Sequence, residues 1–335
     1  MKFGFAEIPS EDYRRHVDLV KRAEELGFDY AWTPDQTFYR DPYVMLALAA
    51  RETERIGLGI GVVNPYTRHP AMAARAIATL HEAAPGRITL GVGAGNRQEL
   101  LGPLGFEISH DAARCRETVE IIRALLTGEK VAYEGRHYVA RDVELLTAEA
   151  SGVRLYIGGR GPQILRAAGE VADGVIIGGL STTAGMRYVW DHVREGAARA
   201  ERDVSVLDVV CWISCYLTER PAERREAIKP WVAHFIGEAP RDVLEALELP
   251  AEVVNRIKEA YAERGSEGAA RYVTDECVDS FSLITEPDRG VQRIEILSKA
   301  GVTQFCMLLP VGSVDEHRRQ LEEFAERVFP RFPDR

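Results

Sequence analysis

Short apolar runs alternate with amphipathic segments from one end of the chain to the other. Eight of the runs have the length and β-branched content of strands, at about residues 2–7, 29–33, 57–63, 87–92, 154–158, 174–178, 206–217 and 304–309. Between them, apolar spacings of three and four predict helices over Tyr13–Leu26, Pro42–Thr53, Pro70–Ala83, Ala112–Leu126, Pro162–Ala172, Met186–Ala200, Val291–Ala300 and Val314–Val328. Ser10 predicts the first N-cap, and Gly27, Gly128 and Gly301 fall just past helix ends. Alternation of this kind joins parallel strands by crossover helices, so the fold class is α/β. Eight pairs predict a (β/α)8 TIM barrel forming a single domain over residues 1–335, because an open doubly wound sheet usually has about five or six strands.

Two stretches break the alternation and read as insertions. Residues about 129–147, after the fourth strand, form a hairpin pattern around Glu134-Gly135. Residues about 221–270, after the seventh, are mostly charged helix, placed to lie over the barrel mouth as a lid or an oligomer contact.

Composition narrows the partners. A net charge of −10 over 335 residues argues against nucleic acid, which calls for clustered Lys and Arg, and in favour of a small molecule. The five cysteines have no metal-ligand spacing. Cys211 and Cys215 lie about 13 Å apart along one predicted strand, too far to bridge. The N-terminus enters a strand directly and no apolar stretch reaches the length of a membrane span, so the expectation is a soluble, cytoplasmic protein with reduced thiols.

In a barrel the strand ends carry the chemistry. Here they are Glu7; Asp35 and Gln36; Gly61, Val62 and Asn64; Gly93, Gly95 and Asn96; Gly158, Gly159, Arg160 and Gly161; and Gly178 and Gly179. Glycine at such a place either makes a tight turn or lets backbone approach a flat ring or a phosphate. Gly158 to Pro162 joins a strand end to a guanidinium and a helix-opening proline, the pattern of a phosphate site. Asp35 reads equally as a binding acceptor or an N-cap, and Glu7 as a proton donor or half of a buried ion pair. His69 reads as a structural histidine ahead of a base. Gly91 to Gly95 imitates a dinucleotide fingerprint, but the third glycine is at the wrong offset and Pro103 and Gly105 interrupt the helix that should follow. With no Ser/His/Asp, Cys/His or metal-ligand arrangement in the sequence, the chemistry falls to an organic cofactor.

Gly61-Val62 and then Asn64-Pro65-Tyr66-Thr67-Arg68-His69-Pro70 resemble the third strand-end motif of deazaflavin-dependent reductases in the bacterial luciferase-like superfamily, nearest to the methylenetetrahydromethanopterin reductases. Further matches are Ala31-Trp32 leading to Asp35, Ile77 to Leu80, Gly91 to Gly95, Tyr156 to Pro162, Ala168 to Val175, Phe281-Ser282, Glu286-Pro287 and Lys299 to Gln304. The resemblance implies a luciferase-like barrel that binds coenzyme F420, a hydride carrier through C5 of its deazaflavin, and forms a homodimer or homotetramer. The alternative within the superfamily is an FMN-dependent monooxygenase. It implies a bulge with a non-prolyl cis peptide at Gly61-Val62 behind the ring, with Asn64 and Thr67 beside it. Asp35 then lies near the ring, and Gly93, Gly95, Asn96, Gly158 to Gly161, Gly178 and Gly179 lie along the cofactor tail and phosphate. Asp35, Glu7 and Gln36 make up the catalytic set, and no metal is implied. Three departures fall among the family's expected proton-handling positions. Gln36 stands where the family has histidine, and Asn96 where the reductases carry an acid. Ala6 aligns with their strand-one acid, leaving Glu7 one place along and facing the other way.

Overall fold

The computed structural model describes residues 1–36, 38–95, 101–147 and 149–333. The first half runs β1 (Lys2–Glu7), α1 (Tyr13–Leu26), β2 (Tyr30–Thr33), α2 (Pro42–Glu52), β3 (Gly57–Val63), α3 (Pro70–Ala83), β4 (Ile88–Gly93) and α4 (Asp111–Leu126). An antiparallel hairpin, β5 (Val131–Glu134) and β6 (Val139–Val143), precedes β7 (Arg154–Gly158), α5 (Pro162–Val171), β8 (Gly174–Gly178), α6 (Thr183–Arg199) and the long β9 (Asp208–Leu217). Four helices follow, α7 (Pro221–Ala227), α8 (Lys229–Glu238), α9 (Arg241–Ala246) and α10 (Ala251–Ala269). The chain ends with α11 (Asp275–Phe281), β10 (Ser282–Thr285), α12 (Pro287–Lys299), β11 (Gln304–Leu309) and α13 (Val314–Val328).

Eight parallel strands close in the order β1, β2, β3, β4, β7, β8, β9, β11 and back to β1, which is the (β/α)8 barrel. The ninth parallel strand, β10, is absent from the sequence pattern. It pairs with the upper part of β9, from Ser282 opposite Ser214 to Thr285 opposite Leu217, beyond the point where β8 ends opposite Trp212.

Alternation along the strands sends one set of side chains into the lumen. Ala6, Trp32, Tyr156, Ile176, Val210, Trp212, Cys306 and Leu308 plug it, with Trp32 edge-on to Trp212 at 5.9 Å. Such bulky residues fit because β3 offers glycines to them: a Cβ on Gly59 would lie 2.3 Å from the Trp32 indole, and one on Gly61 2.3 Å from that of Trp212. The Gly-x-Gly-x-Gly run of β3 is therefore first a packing device. A larger apolar layer joins the outer faces of the strands to the helices, where Phe305 stacks on Phe324 of α13.

Local signals differ from the sequence expectation at two kinds of place. The cap of α1 is Asp12, whose carboxylate accepts from Arg14 N at 2.8 Å; Ser10 lies too far upstream. Helices α6 and α12 begin earlier than the apolar spacing suggests, at a Thr182 cap and at Pro287, because their first turns are polar. All five cysteines are buried and unpaired. Among the described residues no helix is long and apolar enough to cross a membrane.

Candidate active site

The loop after β2 brings Asp35 and Gln36 to the C-terminal mouth, both half-buried. The N-cap of α2 is Asp41, whose carboxylate accepts from Tyr43 N (2.9 Å) and Val44 N (3.2 Å), so Asp35 has no capping duty. Asp41 also pairs with Arg68 at 2.5 Å, and the Arg68 guanidinium lies over the Tyr43 ring at 4.2 Å. Asp35 accepts no hydrogen bond among the described residues. Burial lifts its pKa to about 6, with the charge of Asp41 adding to the rise and that of Arg68 opposing it. It is an acid poised to hold or release a proton near neutrality. Arg68, Asp41 and Tyr43 were invisible as a group in the sequence, because nothing along the chain joins the loop after β2 to the loop after β3.

On β3 the Gly61–Val62 peptide is cis, and the strand slips its register against β4 between Ile60 and Val63. Val62 leans across β4 and β7. A Cβ on Gly93 would lie 2.7 Å from its Cγ2, and one on Gly158 2.5 Å from its Cγ1. Those two glycines thus seat the bulge. Asn64 is buried, its Oδ1 accepting from Tyr66 N and Thr67 N at 3.0 Å, while its buried Nδ2 has no partner among the described residues. Thr67 is exposed. Gly95 follows at a φ of 74° against Asn64, and Asn96 lies outside the described residues. His69 caps α3, its Nδ1 accepting from Ala71 N at 3.2 Å. The hairpin supports this loop from outside: Glu117 on α4 accepts from the backbone N–H groups of Arg136, His137 and Tyr138, and the Tyr138 hydroxyl donates to Pro65 O.

Across the mouth, Gly158 to Gly161 lead into α5. Gly159 gives its amide to Ile176 O at 3.0 Å, whereas the amides of Arg160 and Gly161 meet no acceptor among the described residues. The Arg160 guanidinium has no carboxylate partner there either. It lies over the Phe235 ring of α8 at 4.8 Å and donates to Phe235 O at 3.4 Å. Burial brings its pKa down to about 10, Glu238 opposing the fall. A partly dehydrated, unpaired guanidinium beside free amides at a helix start fits a phosphate. Gly178 faces Phe235, and Gly179 turns at a φ of 71° against Phe281. The helical segment after β9 therefore covers this side of the mouth, with Trp231 of α8 packed onto the lumen plug.

Glu7 is elsewhere. Its side chain points from β1 into the helix layer, where the Nδ1–H of His16 donates to it at 2.5 Å and His317 Nδ1 stands 3.7 Å away. Only 1 % of it is exposed. Burial alone would raise its pKa, but the two imidazoles outweigh that and hold it below the ordinary carboxylate range. The geometry does not bring Glu7 together with Asp35 and Gln36. Instead, the buried polar atoms left without a partner among the described residues include Trp32 Nε1, Asn64 Nδ2, Ser214 Oγ and Trp231 Nε1. The last two escaped sequence reading, one in a continuous apolar strand and the other in a charged helix.

A (β/α)8 barrel with a bulged, cis-peptide third strand at its mouth is the architecture that the luciferase-like resemblance implies. The chain belongs to the luciferase-like monooxygenase family, whose model matches residues 3–304. It is 35 % identical over 335 residues to 5,10-methylenetetrahydromethanopterin reductase of Archaeoglobus fulgidus, covering 99 % of each chain. It is 31 % identical to F420-dependent glucose-6-phosphate dehydrogenase of Beutenbergia cavernae, over 92 % of this chain and 90 % of that one. The solved coenzyme F420-dependent tetrahydromethanopterin reductase of Methanopyrus kandleri superposes with a TM-score of 0.88 at 31 % identity, over 99 % of both chains.

Proposed function

We propose that this chain is a coenzyme F420-dependent oxidoreductase that passes a hydride between the deazaflavin and a methylene carbon held by two nitrogens of a tetrahydropterin-type carrier. The cofactor, when bound, supplies a hydride at C5. The Gly61–Val62 bulge and Asn64 Nδ2 would hold its ring, and Arg160 with its own amide, that of Gly161 and the first turn of α5 would hold its phosphate, with Gly178 and Gly179 alongside. The identity to methylenetetrahydromethanopterin reductase over nearly the whole chain supports the substrate class.

The observation that carries the reading is Asp35, an acid with a pKa of about 6 at the mouth. A carbon bonded to two nitrogens accepts hydride only after one C–N bond breaks, and that nitrogen must take a proton as it leaves. Asp35 donates this proton, the leaving nitrogen takes the electron pair of the broken bond, and the resulting iminium carbon is open to hydride. Gln36, half-buried beside it, orients the substrate by hydrogen bonding. The departure from histidine at this position removes a titrating group, and Asp35 alone sets the proton supply.

The test is anaerobic oxidation of reduced F420 by methylenetetrahydromethanopterin, followed by the return of deazaflavin absorbance. Turnover is expected. Oxygen consumption with reduced FMN and no deazaflavin turnover would overturn the proposal in favour of the monooxygenase reading, which the family's own description supports.

A further inference from the structure

In the closed ring of eight strands, β3 and β9 stand four places apart and face each other across the lumen. The contact that a Cβ on Gly61 would make with the Trp212 ring shows how directly they do so. At the mouth two half-buried apolar side chains pack onto the plug: Val62 from the β3 bulge, and Trp231 from α8, which follows β9. Tyr30 packs onto it from the N-terminal end. A flat ring laid on Val62 therefore turns its free face toward the β9 and α8 side.

That side carries unused hydrogen-bonding capacity. Among the described residues the Trp231 indole N–H is buried without a partner, and so is the hydroxyl of Ser214, a residue 1 % exposed and two places beyond Trp212 on the same face of β9. Buried polar atoms are rarely left alone without a reason, since an unpaired one has given up its hydration for nothing. The indole is also held firmly. It meets Phe235 edge-on at 5.5 Å, Phe235 stacks on Phe281 at 6.1 Å, and the Arg160 guanidinium lies over the Phe235 ring at 4.8 Å.

We propose that Trp231 is a substrate-positioning residue: its ring covers the substrate opposite the Val62 wall, and its N–H, with the Ser214 hydroxyl, engages an acceptor on a planar nitrogen heterocycle. The proposal rests on the function given above and specifies which part of the substrate this chain reads. Trp231 takes no part in the chemistry and acts through placement.

Trp231→Phe keeps an aromatic ring and removes the donor. Against wild type it is expected to raise the KM for methylenetetrahydromethanopterin about tenfold, as loss of one hydrogen bond implies. Expected changes in kcat stay within about threefold. F420 affinity, titrated by quenching of deazaflavin fluorescence, and the melting temperature should match wild type. An unchanged KM overturns the proposal while leaving the function intact. A loss of F420 affinity as large as the rise in KM overturns it too, by assigning Trp231 to the cofactor. Wild type that turns over glucose 6-phosphate or nothing, and not the pterin, overturns both.

Discussion

Asp35 and Glu7 are both single carboxylates at strand ends, and environment alone separates them. Asp35 has lost water without gaining a donor among the described residues, so its proton is held more tightly; Glu7 has lost more water but gained two imidazoles, so its charge is the favoured form. For Asp35 the stability consequence runs against ionisation. Its folded pKa of about 6 exceeds the ordinary 3.8, so its contribution is fully present below that lower value and is lost as pH rises through about 6. Two units at about 1.4 kcal/mol each set an upper figure of about 3 kcal/mol, reduced by the residue's partial exposure. Asp35→Asn should accordingly melt a few degrees higher than wild type at pH 8 and show no such advantage at pH 4, while its turnover falls by about a hundredfold or more. Calorimetry at the two pH values reads the first effect and single-turnover kinetics the second. An equal gain at both pH values would show that the asparagine stabilises by something other than removal of a buried charge.

The eight barrel strands were readable from sequence to within two residues because each is an apolar run bounded by polar turns, and the hairpin was readable from its own alternation. Strand β10 was not. Its four residues, Ser282–Thr285, sit between two helices and are too short to show a period. The glycines show a deeper limit. A glycine at a strand end looks the same whether it receives a ligand or a neighbour, and what Gly59, Gly61, Gly93 and Gly158 receive are Trp32, Trp212 and Val62, each from another strand. Support between elements was equally hidden. Glu117 lies in the middle of α4, yet it binds three consecutive amides of the hairpin turn, which then reaches Pro65 through Tyr138. Glu117→Ala leaves those amides without their acceptor at about 1–3 kcal/mol for a buried group. Faster hydrogen exchange is expected at Arg136 to Tyr138, accompanied by weaker F420 binding as the Asn64–Pro65 loop loosens. Faster exchange with cofactor affinity intact would confine Glu117 to holding the hairpin.

At the scale of the whole molecule, the ring of strands closes where β11 pairs with β1, and the layer outside that seam is tied by Glu7. Its carboxylate joins β1 to His16 on α1 and lies beside His317 on α13, while the Nε2–H of His317 donates to Val311 O at 3.2 Å. One acid thus binds the two ends of the chain into one layer, away from the lumen that Asp35 and Trp231 share. Its pKa is lowered, so the stability it gives is present above the ordinary value of 4.5 and is lost as pH falls through the folded value. Glu7→Gln preserves the shape and removes the charge, leaving His16 with a weaker acceptor, and should cost about 3 kcal/mol or more at pH 7. Urea midpoints are expected to differ widely at pH 7 and to draw together as the buffer is taken below pH 4.5. F420 affinity at pH 7, measured under conditions where the variant is fully folded, should equal that of wild type, because the carboxylate has no line to the mouth. A variant of normal stability with impaired cofactor binding would place Glu7 in the site instead of in the seam.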